Sequence, residues 1–245
     1  MKFTGRARCL HSPAFACFAP LRETLCYGME GKKSPVNEFR DALGTHGARY
    51  EIKLAESEIA RLCKYYQLVL EWNPRAHLVA PCSSSEFATR HVLESLSLLP
   101  YLPPKARVAD VGSGAGLPIV PVLIARPDVR AILIESSKKK SVFLREALRL
   151  TETSDQASVL GERFENVPAP EVDWVTCRAL DRFALLFPKL IQWSPQPSRL
   201  LLFGGEELRQ QIERAGVEYN SIRVPGSKQR FLFVIKSEPP AVTGG

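Results

Sequence analysis

Asp110, Gly112, Gly114 and Gly116 read D-x-G-x-G-x-G directly after the apolar run "RVADVG". Glycines at such a turn let the backbone bend tightly and let a ligand come close to amide groups that carry no side chain. A nucleoside-triphosphate loop would close Gly-Lys-Ser/Thr, whereas this one runs into Leu117 and Pro118. A dinucleotide fingerprint would want a third glycine where Leu117 stands. Glu135 ends the next apolar run, "AILIES", at a place where a carboxylate takes both hydroxyls of a ribose and repels any nearby phosphate. The combination suits a nucleoside without phosphates, S-adenosylmethionine. Beyond the following run, "VLGERFENV", Glu165 or a neighbouring amide can meet an adenine amino group, and Phe164 either covers the ring or belongs to the core. Arg178, in "TCRAL", is a charge at the carboxyl edge of a buried strand, where open α/β sheets hold ligands and an unpaired charge is costly.

These groups can meet only if the elements between them alternate. From Arg107 onward short apolar runs and helical stretches do alternate, which predicts a parallel sheet with helices on both faces. The last two runs, "VEYNSIRV" and "QRFLFVIK", are separated only by the turn "PGSK" and should pair antiparallel. The fold class is therefore α/β, a Rossmann-like sheet of seven strands ending in an antiparallel pair, with a helical segment in front. Within that segment, apolar positions from Ile52 to Leu70 predict a helix over 50–72 ended by Asn73 and Pro74. A second helix, "EFATRHVLESLSLLPYL", follows a possible Ser85 cap. The expected organisation is an extension at 1–28, helices at 29–105, the sheet domain at 106–238 and a tail at 239–245.

A net charge of +7 on 245 residues favours a polyanionic partner, because each Lys or Arg set on a phosphate releases counterions. No apolar run reaches the ~20 residues of a membrane span. Six cysteines without a CxxC pair argue for reduced thiols in a cytosol and against structural zinc, so no metal is expected. The first 22 residues carry four basic and no acidic side chains. They read as a transit-like extension or as sequence upstream of a true start at Met29.

Taken in order, "EWN" at 71–73, "RHVLES" at 90–95, "DVGSGAGLP" at 110–118, "FLR" at 143–145 and "RAL" at 178–180 resemble the bacterial small-subunit ribosomal RNA guanine-N7 methyltransferase G family, also called GidB. The likeness runs from about residue 50 to residue 236, and the "RHVLES" helix is its specific part. The resemblance implies a class I S-adenosylmethionine-dependent methyltransferase acting on 16S ribosomal RNA or the small ribosomal subunit, as a cytoplasmic monomer. It implies that Gly112 and Leu117 line the methionine-ribose end of the cofactor, that Phe164 and Glu165 contact the adenosine, and that Arg178 lies beside it. Arg90 and His91 would face the mouth as positioning residues, and Lys139 and Lys140 would reach RNA phosphates.

Three positions depart from the family pattern. His77, Leu78 and Val79 replace a usual Asn-Leu-Thr, Phe203, Gly204 and Gly205 replace Leu-Lys-Gly, and Cys177 stands where serine is common. They leave open a methyltransferase for another acceptor, or a relative that binds without catalysing. Guanine N7 is an unprotonated acceptor, so its methylation needs no general base, and none is evident.

Overall fold

The computed structural model describes residues 33–178 and 183–236, with the side chains of 183–185 left aside. The described residues from Ser34 on belong to one compact unit. Met29, the proposed extension and tail, and Ala179 and Leu180 of "RAL" lie outside the described residues.

Seven strands form one sheet in the order β3-β2-β1-β4-β5-β7-β6. They are β1 Arg107–Val111, β2 Arg130–Ile134, β3 Ala157–Leu160, β4 Trp174–Arg178, β5 Arg199–Gly204, β6 Tyr219–Arg223 and β7 Phe231–Lys236. The first five run parallel to one another, and β7 runs antiparallel to both β5 and β6. The order reverses between β1 and β4, and the crevice outside their carboxyl ends is where such sheets bind ligands.

Alternation along the strands builds two cores. Val108, Leu133, Leu201 and Phe203 face one apolar cluster, while Ala109, Val111, Leu200 and Leu202 face the other. The first cluster takes in the helical segment, α1 (Pro35–Gly47), α2 (Glu56–Ala76) and α3 (residues 84–96), together with two helices that connect sheet strands, α4 (Ile119–Ala125) and α5 (Lys138–Leu150). The second is covered by α6 (Phe183–Trp193) and α7 (Glu206–Arg214), through Phe187, Leu190, Leu208 and Ile212. Helices before the sheet and the sheet itself thus share one core.

The helix boundaries differ from expectation for local reasons. α1 starts where the Ser34 hydroxyl accepts the Asn37 amide and Pro35 fits the first turn. α2 begins at Glu56, not residue 50, so Ile52 and Leu54 precede it and pack half-buried against the core. It also continues through Pro74 to Ala76, because a proline there gives up a bond only to the carbonyl of Leu70, on an exposed turn. His77 then ends it at φ 48°. Ser83, rather than Ser85, caps α3 by accepting the Glu86 amide at 3.1 Å. The middle of α3, Phe87–Leu93, is a π-helix, which periodicity alone did not reveal.

Candidate active site

A cavity of about 750 Å³ opens at the carboxyl ends of the strands around the β1/β4 switch. Its floor is the glycine turn, where Gly112, Gly114 and Gly116 all have positive φ, 70°, 52° and 81°. At Gly116 a Cβ would stand 2.6 Å from the Val120 side chain and 3.2 Å from that of Leu144. Gly116→Ala combines an unfavourable φ with this clash and is expected to lower stability by at least about 2 kcal/mol. Denaturant unfolding checks this, and an unchanged midpoint would refute it.

The turn does not offer its amides freely, as the glycine pattern suggested. Gly112 and Ser113 donate to the Ile134 carbonyl at 2.9 and 3.2 Å, Gly116 donates to Ser113 at 2.6 Å, and Gly114 donates to the Glu135 carboxylate at 2.8 Å. The glycines therefore shape a floor and tie it to the end of β2. Glu135 accepts a second amide, from Ser137 at 2.7 Å, through its other oxygen. Each oxygen keeps a further lone pair, and the residue lines the cavity. From below, the wholly buried Tyr65 donates to the Ala115 carbonyl at 2.6 Å. Burial holds its phenol well above the ordinary range. Tyr65→Phe should orphan that carbonyl and cost about 1 to 3 kcal/mol in urea unfolding. Equal stability would show that the bond contributes nothing.

One wall is the loop 77–81, whose shape comes from Asn73. Its side-chain oxygen accepts the amides of Leu78 and Val79 at 2.8 and 3.0 Å, and its side-chain nitrogen donates to the Val79 carbonyl at 3.1 Å. The "EWN" asparagine is thus a loop organiser. Opposite lie Phe164, Glu165 and Arg163 after β3, and Lys140 in the first turn of α5. Phe164 is buried and meets Trp193 edge-on at 5.6 Å, while Glu165 is exposed.

Arg178 and His91 complete the lining. Arg178 ends β4 and reaches into α3. It donates to Glu94 at 2.8 Å, to the carbonyls of Arg90 and His91, and lies 3.4 Å from both the Ser95 hydroxyl and His91 Nδ1. Arg230, just before β7, binds the same Glu94 oxygen at 3.0 Å. His91 rests against Phe87 at 5.1 Å, within a cluster that includes Phe39, Tyr65 and Tyr66. Burial first, then the charges of Arg178, Arg90 and Arg230, push its pKa down to about 3, so the ring is neutral at physiological pH.

Of the residues expected from sequence, His91, Gly112, Gly114, Leu117, Glu135, Lys140, Phe164, Glu165 and Arg178 line this one cavity. Four do not. The Arg90 guanidinium is held by Glu86, and only its carbonyl serves the site, through Arg178. Asp110 lies wholly buried beneath the turn, with neither carboxylate oxygen hydrogen-bonded, and burial pushes its pKa up to about 8. Gly116 packs on Val120 and Leu144, and Lys139 is on the exposed face of α5. Sequence reasoning missed Tyr65, Glu94 and Arg230. A carboxylate inside "RHVLES" was the available sign of the second. Gly204 has a structural reason to lack a side chain, since a Cβ would stand 2.5 Å from Leu208.

The family model described as GidB, rRNA small subunit methyltransferase G, matches residues 58–232. The chain belongs to the GidB family. Among similar GidB proteins, the ribosomal RNA small subunit methyltransferase G of Xanthomonas campestris pv. campestris is 41% identical over 187 residues, covering 73% of this chain and 87% of that protein. The one from Nitrosospira multiformis is 40% identical over 134 residues, 55% of this chain, and the match spans 59% of that relative. A solved O-methyltransferase family 2 protein from Planctomyces limnophilus shares the fold, with TM-score 0.51 and 19% identity over 74% of this chain and 64% of that one. Among the described residues no helix is long and apolar enough to cross a membrane, and no group of His, Cys, Asp and Glu could hold a metal ion.

Proposed function

We propose that this GidB chain transfers a methyl group from S-adenosylmethionine to N7 of a specific guanine in 16S ribosomal RNA, acting as a monomer in the bacterial cytoplasm. The observation that carries the reading is the single cavity that gathers the glycine turn, Glu135, Phe164, His91 and Arg178. Its chemistry fits the cofactor. Glu135 has lone pairs for two hydroxyls, Leu117, Ile134 and Phe164 give apolar surface for a purine, and no phosphate-binding lysine follows the turn. When bound, the cofactor supplies an electrophilic methyl on a sulfonium.

The chain's own residues orient the acceptor and exclude water. N7 carries no proton, so nothing must be removed before attack, and rate comes from holding the base in line. His91 is neutral and therefore adds no repulsion as positive charge moves onto the purine. Arg178 is pinned by Glu94 and α3 carbonyls, so it keeps one position at the cavity wall. The basic first turn of α5, with Lys139 exposed and Lys140 at the rim, is set to meet RNA phosphates. An unpaired guanine is the accessible acceptor, since its base can be splayed out of a loop.

The test is incubation with methyl-labelled cofactor and small-subunit RNA from a strain lacking the enzyme, naked and as assembled particles. Mapping 7-methylguanine by strand cleavage should give one labelled guanine. Cofactor binding without label in either RNA would refute the reading and favour another acceptor or a non-catalysing relative.

A further inference from the structure

Glu94 is almost inaccessible, with its side chain 2% exposed, and it lies next to the cavity without lining it. One oxygen receives both Arg178 and Arg230, and the other has no hydrogen-bond partner. A buried carboxylate held this way is expensive for a fold that could use an apolar side chain there. Its grip on Arg178 has a second effect. The guanidinium nitrogen that binds Glu94 at 2.8 Å is also the one 3.4 Å from His91 Nδ1. Its two hydrogens go to Glu94 and to the Arg90 carbonyl, so it spares none for Nδ1, but its positive charge facing that atom favours a lone pair over an N–H there, which leaves the ring hydrogen on Nε2. Among the described residues no bond to Nε2 is made by the protein, it is not a buried unpartnered atom, and the ring lines the cavity.

Resting on the guanine reading above, we propose that Glu94 is a positioning residue: it anchors Arg178, Arg178 fixes His91 with its hydrogen on Nε2, and that N–H receives O6 of the target guanine. O6 is the acceptor next to N7 on the major-groove edge, and adenine presents an amino donor there instead. A neutral imidazole N–H binds the first and rejects the second, while Nδ1–H would face Arg178 and lose the contact. The groups facing His91 are Arg178 from β4, Arg230 from the β6–β7 turn, and Arg90 and Glu94 from α3 itself, with Glu86 holding Arg90. Three guanidiniums against these carboxylates keep the ring unprotonated, in agreement with the direction of its pKa.

Two measurements on the full chain test this. Long-range proton–nitrogen spectra of histidine-labelled protein, with His91→Phe to assign the signal, should show an Nε2-protonated ring that does not titrate from pH 5 to 8. Glu94→Gln should bring in the other tautomer. A wild-type ring protonated on Nδ1, or an unchanged signal in Glu94→Gln, overturns the proposal. The second measurement compares methyl transfer to RNA carrying guanine or 2-aminopurine, which keeps N7 and lacks O6, at the target position. The wild type should prefer guanine by about 10- to 100-fold in kcat/KM. That preference should fall below about 3-fold in His91→Phe and in Glu94→Gln, with cofactor affinity held. The intrinsic reactivity of the two bases cancels between wild type and variant, so a merely structural role would lower both rates and leave the preference intact. Retention of the preference in His91→Phe overturns the proposal even if Glu94→Gln does not fold. A wild type that labels neither RNA overturns the guanine reading and the O6 contact with it, and the spectra then decide the tautomer.

Discussion

Arg178→Met is expected to abolish methyl transfer and to lower stability by about 3 kcal/mol, because it removes the nearer of two cations from a carboxylate that is 2% exposed. It also leaves the carbonyls of Arg90 and His91 without the guanidinium that now serves them. The distinguishing result lies in the double variant. Neutralising Glu94 as well, in Arg178→Met/Glu94→Gln, removes the stranded charge and should restore part of the stability while restoring no activity. Urea unfolding of the two single variants and the double measures the coupling, and methyl transfer measures the loss of the site. Additive effects on stability would mean that the pair does not act as a unit. Activity near wild type in Arg178→Met would remove it from the proposed machinery.

The second large effect concerns Asp110 and pH. Burial raises its folded pKa to about 8, against 3.8 for the exposed group, so the folded protein keeps a proton that the unfolded chain gives up. Stability contributed by this group is therefore lost progressively as pH rises from about 4 to about 8, and the loss is constant above that window. The slope is about 1.4 kcal/mol per pH unit, which accumulates to the order of 4 kcal/mol by pH 7. Asp110→Asn never ionises and should lack that slope, making the cofactor-free variant more stable than the wild type at pH 7 and equal to it near pH 4. Denaturant titrations at pH 5, 6, 7 and 8 check this. Parallel curves for the two proteins would mean that the carboxylate finds a partner the fold does not supply.

Much of this site was legible in the chain because its parts are local. The glycine turn, Glu135 one strand later and the antiparallel finish each follow from short-range spacing. The structure puts the turn and Glu135 at one cavity and pairs β7 antiparallel with β5 and β6, while the turn's amides are bonded within the protein rather than offered as the glycines suggested. The ion cluster was not legible for the opposite reason. Glu94, Arg178 and Arg230 lie on α3, β4 and the turn before β7, 84 and 136 residues apart along the chain from the first. Nothing in the composition of "RHVLES" says which arginines will meet its glutamate. The π-turn was hidden in a different way, since Phe87, Val92 and Leu93 are buried as any apolar helical face would be. The proline at 74 misled because its local rule is sound but its lost bond falls on an exposed turn.

The π-turn also limits how the sequence can change length. Seven residues, Phe87–Leu93, are wound more widely than an α-helix, which accommodates one residue more than the regular spiral would hold. Deleting one of them lets the helix relax to the regular form with both ends still in register, so the change falls on this turn itself. The carbonyls of Arg90 and His91, which belong to it, would shift and no longer meet Arg178. Substitutions on the outer face, such as at the exposed Ser85, leave that spacing intact. This helix can therefore tolerate a change of letter far better than a change of count, and viable descendants of the chain should keep the number of residues between Ser83 and Glu94 fixed.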